Sequence, residues 1–169
     1  MPLEPDPNPP SWRRVGMLVL FLGGVLAWKG GEGVSARYGF GINVTESLPH
    51  WAFITDRSDK AVARGDLVEF VAPPTPYYPE GQRFVKRVAG VAGDRVETQA
   101  RNFYVAGKLV GAAKERARSG EAAPIGPTGV IPEGRIFVVG DHVDSLDSRY
   151  AAIGWISADR IIGKVEPIL

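Results

Sequence analysis

Apolar and polar positions change rhythm twice along this chain. Residues 1–12 hold five prolines and few apolar side chains. That pattern cannot build a packed element and reads as a tail. An uncharged run, Val15 to Trp28, follows directly after Arg13 and Arg14 and ends at Lys29. It predicts a helix. Beyond it the pattern breaks into short segments separated by Gly and Pro, which predicts strands and turns. Asp66–Val71, Arg83–Val88 (stopped at Gly90), Arg95–Thr98, Asn102–Val105, Lys108–Val110, Arg135–Val139 and Ile161–Ile168 are the strand candidates. Ala106-Gly107 joins two of them as a two-residue hairpin turn. Ala61–Arg64 and Ser157–Arg160 suggest short helical turns, and residues 111–130 read as irregular. Many short strands at this spacing predict a mainly β domain, an antiparallel barrel or sandwich.

Composition narrows the chemistry. The chain has 169 residues, 44% of them hydrophobic and 23% charged, enough for one packed domain and an appendage. Twenty basic residues against 19 acidic ones leave a net charge of +1, which speaks against a nucleic-acid surface. No cysteine is present, so disulfides, thiol nucleophiles and cysteine metal sites are excluded. His50 and His142 are the two histidines, too few for a multi-histidine metal centre.

The apolar run admits three readings: an uncleaved signal anchor, a signal peptide cleaved after Val34-Ser35-Ala36, or a buried helix of a soluble domain. Fourteen helical residues span only ~21 Å against a hydrocarbon core of ~30 Å. Extension through Gly30 and Gly31, with Lys29 snorkelling, lengthens the span. The arginine pair and the sharp polar border favour the anchor. They also favour an N-in orientation, although Lys29 and Arg37 balance the charge count. The expected organisation is a cytoplasmic tail at 1–14, a transmembrane anchor at 15–31 and a periplasmic β domain at 37–169. A small inserted subdomain is expected at about 97–134.

Four segments carry candidate chemistry. Ser47 precedes Leu48-Pro49, where a serine is ordinarily just a turn residue. Arg64-Gly65-Asp66 opens a strand. In the next strand Phe84, Lys86 and Val88 share a face by alternation. If that face is solvent-exposed, Lys86 is an ordinary cation. If it is buried, desolvation lowers the lysine pKa, and a neutral amine can accept a serine proton. The Gly140–Tyr150 segment, with Asp141, Asp144 and Asp147, reads as a solvated turn or a weak cation site without the layout of an EF-hand loop.

Taken together, in order, these segments resemble the bacterial type I signal peptidases, membrane-anchored serine proteases with a Ser–Lys dyad. The resemblance spans residue 43 to about 165. Its most specific stretches are Lys86-Arg87-Val88-x-Gly90-x-x-Gly93-Asp94 and Gly140-Asp141-x-x-Asp144-Ser145-x-Asp147-Ser148-Arg149-Tyr150. The serine box, Asn43-x-Thr45-x-Ser47-Leu48-Pro49, resembles the TraF-type branch, conjugative-transfer peptidases that mature pilin subunits. Trp51 departs from that branch where a Gly-x-Tyr is expected.

The resemblance implies a signal-peptidase β fold with a small β insertion and one N-terminal transmembrane helix. It implies Ser47 as nucleophile, Lys86 as general base, Ser145 as the hydroxyl that orients the lysine, and Thr45 as an oxyanion donor beside the Ser47 N–H. Asp147 is either needed for activity or a structural partner of Arg149. Asp141 and Arg87 form a bracing pair. His142 falls at a variable family position, and His50 lies three residues along an extended chain from Ser47, on the opposite face. No cofactor and no metal are implied. The implied partners are an exported precursor or pilin as peptide substrate and the lipid bilayer, at the bacterial inner membrane. A general signal peptidase, a LexA-like self-cleaving protease and an inactive membrane-tethered β scaffold are the rival readings.

Overall fold

A computed structural model describes residues 12–42, 48–50 and 52–168. The described chain forms two compact units divided between Arg37 and Tyr38. The first is helix α1, Trp12–Arg37. Its apolar stretch ends at Lys29, with Glu32 and Arg37 beyond. No described helix is long and apolar enough to cross a membrane.

The second unit is mainly β. In chain order its strands are β1 (Tyr38–Ile42), β2 (Ala52–Asp56), β3 (Leu67–Val71), β4 (Arg83–Gly90), β5 (Arg95–Gln99), β6 (Asn102–Val105), β7 (Lys108–Ala112), β8 (Gly129–Val130), β9 (Arg135–Val139), β10 (Ile156–Ser157) and β11 (Ile161–Pro167). They form a seven-stranded sheet, β1-β2-β11-β3-β4-β9-β10, and a four-stranded sheet, β7-β6-β5-β8. All pairings between these strands are antiparallel.

The barrel alternative is corrected. Among the described residues the large sheet ends at β1 on one side and β10 on the other, so it is open. Closure would need its edges to meet. β10 is only two residues long and pairs with β9 alone, while β1 pairs with β2 alone. The expected helical turn at Ala61–Arg64 is also absent. Instead the chain makes a tight turn at 63–66, where the Asp66 N–H donates to the Ala63 carbonyl (3.2 Å) and the Gly65 N–H to the Val88 carbonyl (2.9 Å), and the Ala63 N–H donates to the Asp66 carboxylate (2.9 Å). The turn expected at the other end is present, as a 3-10 turn at Ala158–Arg160.

Strand β9 explains the layering. Ile136 and Val138 pack into one cluster with Val68, Phe70, Val88, Ile153, Ile156 and Ile161. Phe137 and Val139 point the other way, into a second cluster with Val96, Phe103, Val105, Ile131 and Tyr150. A strand buried on both faces needs a continuous apolar run, which is what Ile136–Val139 supplies. The two sheets thus share one strand's opposite faces.

Gly90 and Gly126 mark close approaches. A Cβ on Gly90 would lie 2.6 Å from a Val105 methyl and 2.8 Å from Ile131. A Cβ on Gly126 would lie 2.1 Å from the Ser148 carbonyl oxygen, which is buried backbone and cannot swing away. Gly126→Ala should therefore lower stability by about 1–3 kcal/mol, the usual range for overpacking. A thermal or urea melt of the variant checks this, and an unchanged midpoint would contradict the close packing described.

Candidate active site

The loop between β9 and β10 begins where β9 leaves the core. Ser148 keeps it attached: its N–H donates to the Val138 carbonyl (3.0 Å), and its Oγ accepts from the Val138 N–H (2.9 Å). Asp147 then turns inward, fully buried. Its Oδ2 accepts the Gly140 N–H at 2.9 Å. Its Oδ1 accepts the Arg149 N–H at 3.1 Å. The Arg149 guanidinium meets the same carboxylate twice, at 2.9 and 2.7 Å. Its third nitrogen donates to the Ala112 carbonyl on β7 at 3.0 Å. Burial pulls the Arg149 pKa down, but hydrogen bonding and charge from Asp147 outweigh it, and the net shift is upward. The guanidinium stays charged, and its bonds tie the pair to both sheets.

This anchoring presents Ser145 to Lys86. Both are buried, and Lys86 Nζ donates to Ser145 Oγ at 2.8 Å. Lys86 sits opposite Val68 in the β3–β4 ladder, at the rim of the first core cluster. Its Nζ lies 5.5 Å from the centre of the Phe84 ring. Burial is the largest influence on the amine and lowers its pKa to about 8. Asp147 and Asp141 oppose the shift by attraction, while Arg149 adds to it by repulsion. At neutral pH about one-tenth of such an amine is unprotonated, against under one in a thousand for an ordinary lysine. An amine of this kind can accept a proton from a neighbouring hydroxyl.

The other expected residues divide. Arg87 and Asp141 do pair, at 3.3 Å, but both are exposed, so the pair contributes little. Asp144 accepts from Lys114 and from Arg118. Each acidic residue of the loop therefore faces a basic partner. Among the described residues no cluster of three metal-ligating side chains occurs. His142 Nδ1 accepts the Asp144 N–H at 3.1 Å, as part of the loop's own turn. Ring contact joins His50 edge-on to Phe53 at 6.3 Å. Ser47, Thr45 and Trp51 lie outside the described residues. Leu48, next to Ser47, is buried with Phe53, Leu67 and Val165, and Val85 packs against that cluster.

One brace was not foreseen from the sequence. Arg64 of the Arg-Gly-Asp segment grips Asp94, with Nε 2.6 Å from Oδ2. Asp94 also accepts the Val91 N–H. The Arg64 hydrogen bond is the main reason its carboxyl pKa is lowered. The pair fastens the start of β3 to the turn between β4 and β5. A basic residue and an acidic one at separate motif ends were the available signal.

A buried lysine held by a serine hydroxyl, on an antiparallel β scaffold, offers an amine able to take a proton. Comparison of the sequence identifies the family. The profile described as "Signal peptidase, peptidase S26" matches residues 18–169. A conjugal transfer protein TraF from Agrobacterium fabrum is 30% identical over 148 residues, covering 77% of this chain and 82% of that protein. Signal peptidase I from Bacillus licheniformis is 35% identical over 88 residues, 47% of each chain. A solved signal peptidase I from Enterococcus faecalis is 28% identical, covers 63% of this chain and 97% of its own, and superposes with a TM-score of 0.42. The molecule is thus a serine-type endopeptidase that cleaves precursor proteins. It belongs to the signal peptidase family, peptidase S26, and within it is similar to the TraF proteins.

The lysine's burial has a stability consequence. In the unfolded chain Lys86 titrates near its ordinary value of 10.5, and in the folded protein at about 8. The charged form is therefore disfavoured by folding. The penalty is full below pH 8 and fades as pH rises toward 10.5, the reverse of a salt-bridged lysine. Lys86→Met should raise stability at pH 6 by about 3 kcal/mol, less whatever Ser145 loses with its partner. The gain should shrink toward pH 10. Melts of both proteins across this range test it; a gain that grows with pH would be the wrong sign.

Proposed function

We propose that this chain is a membrane-anchored, conjugative-transfer type signal peptidase that matures an exported precursor or pilin by a Ser47–Lys86 dyad. The observation that carries the mechanism is the buried Lys86 amine with its pKa lowered to about 8. Neutral Lys86 takes the Ser47 proton as the hydroxyl oxygen attacks the scissile carbonyl. The same proton then passes to the leaving amine, and water hydrolyses the acyl-enzyme with Lys86 again as base. Ser145 orients the amine. Thr45 and the Ser47 N–H stabilise the oxyanion, where one donor is worth ~10²–10³ in rate. Asp147, Arg149, Asp141 and Arg87 support the loop and strand that hold this pair.

The TraF match covers 77% of the chain and favours the conjugative reading. The Bacillus match over 47% favours a general signal peptidase as the second reading. In the anchor proposal, residues 1–14 are cytoplasmic, 15–31 sit in the inner membrane and 37–169 are periplasmic. About 97–134 would form a small insertion. Met17, Val19, Leu20, Phe21 and Leu22 are all exposed on α1, apolar side chains that suit lipid better than water.

Ser47→Ala and Lys86→Ala should each remove processing by on the order of 10⁴-fold, because a catalytic unit is not additive. Lys86→Arg should fail too, since a guanidinium does not deprotonate. Precursor cleavage by the full-length protein in detergent is the assay; near-normal turnover in any of the three refutes the dyad. Its pH profile should rise through about pH 8 and then level, as protonation removes the lone pair that accepts the serine proton. The same limb should persist in His50→Ala and His142→Ala.

For topology, a periplasm-dependent reporter fused after Leu169 should be active and membrane-bound. Release of the fusion as a soluble protein beginning at Arg37 would mean that the helix is a cleaved leader.

A further inference from the structure

The proline-rich loop between β3 and β4 and the irregular segment after β7 face one another across a cleft of about 370 Å³. Tyr77 and Tyr78 line one side, and Leu146 and Tyr150 line part of its wall. The cleft adjoins the lysine along two routes. Leu146 is the residue after Ser145, whose Oγ holds Lys86 Nζ. Tyr78 meets the Phe84 ring edge-on at 5.1 Å, and Lys86 Nζ lies 5.5 Å from that same ring.

The cleft is unevenly charged. Lys114, Arg116 and Arg118 line it, against a single carboxylate, Asp144. Both Lys114 and Arg118 share that carboxylate. Arg116 donates to the Gly120 carbonyl, a neutral partner, at 2.8 Å. Glu115 and Glu121 of the same segment do not line the cleft. The lining therefore carries an excess of about two positive charges beside aromatic and aliphatic walls. The whole chain, by contrast, is nearly neutral at +1.

We infer that this cleft is a substrate subsite for an acidic residue of the precursor chain flanking the scissile bond, with Arg116 and Arg118 as its specificity-determining residues. The inference rests on the peptidase reading above. The peptide's apolar atoms lie against Tyr78 and Leu146, and its carboxylate meets the guanidinium groups. Asp144 keeps Lys114 and Arg118 ordered and offsets one of the three positive charges. Arginine suits the task because its planar fork pairs with a carboxylate through two hydrogen bonds.

The test uses the full-length protein in detergent and fluorescent peptides built on an Ala-x-Ala cleavage sequence, with Asp, Asn or Lys placed in turn at each flanking position. Binding is read by anisotropy and cleavage by chromatography. At one or more flanking positions the Asp peptide should bind about fivefold more tightly than its Asn twin, the scale of a partly screened ion pair. The preference should weaken between about 50 and about 500 mM salt. In Arg116→Glu/Arg118→Glu it should reverse toward the Lys peptide. Should that double variant melt at a lower temperature, Arg116→Gln and Arg118→Gln singly should each reduce the preference. Equal binding of Asp and Asn peptides at every position would overturn the inference, as would a preference that survives both charge reversal and the single replacements. Binding needs neither Ser47 nor Lys86, so a failed subsite and a failed dyad give different results: cleavage by Ser47→Ala refutes the dyad and leaves the binding ratio to decide the subsite.

Discussion

The buried ion pair between Asp147 and Arg149 is the interaction on which the rest of the site depends. Removing two charges from water costs several kcal/mol each, and attraction alone seldom repays it. Here the cost is offset because the spare hydrogen-bonding capacity is used. The carboxylate takes backbone N–H groups from Gly140 and Arg149, and the guanidinium reaches the Ala112 carbonyl. Those partners come from the end of β9, the loop itself and β7. One local pair, two residues apart, thus fastens the loop to both sheets. Ser145 inherits its position from that fastening, and Lys86 inherits its cover.

The pair also acts on the lysine electrically. A lone buried carboxylate near Lys86 would hold the amine in its charged form. Arg149 supplies an opposing repulsion, so much of the pair's field cancels at Nζ and burial decides the direction. The exposed pair between Arg87 and Asp141 uses the same kinds of residue to little effect, since water screens it. Residue type predicts neither outcome; the position of each pair relative to the two cores does.

The same distinction governs what could be read from residues alone. Strands β3, β4, β5, β6, β7, β9 and β11 were legible because alternation, an apolar run or the Ala106-Gly107 turn marks them locally. β1, with the sequence Tyr-Gly-Phe-Gly-Ile, has no fully buried residue, and Phe40 is exposed, so no pattern betrays it. β8 and β10 are two residues each and exist only through their partners. For Lys86 the alternation with Phe84 and Val88 identified the face, but not what covers it. The cover is a loop about sixty residues further on, and its inward-turned Asp147 looks, as sequence, like any other acid in an Asp- and Ser-rich turn. The Arg64–Asp94 brace was hidden for the same reason, its halves being 30 residues apart.

For the proposed base, a pKa of about 8 is a compromise between opposing demands. A lysine near 10.5 would be almost wholly protonated at neutral pH and unable to start the reaction. One pushed far lower would always be neutral but would draw the serine proton weakly, because basicity falls with pKa. The two effects balance when the pKa lies close to the working pH. Burial beside the first core supplies the downward shift, while Asp147 and Asp141 limit it. Ser145 adds a hydroxyl that accepts from the amine in either charge state, so orientation survives when the proton is lost. A site of this design has no need of a histidine relay. It also explains why the Gly140–Tyr150 loop is so heavily tied down: a lysine whose pKa depends on exclusion of water tolerates little movement in its cover.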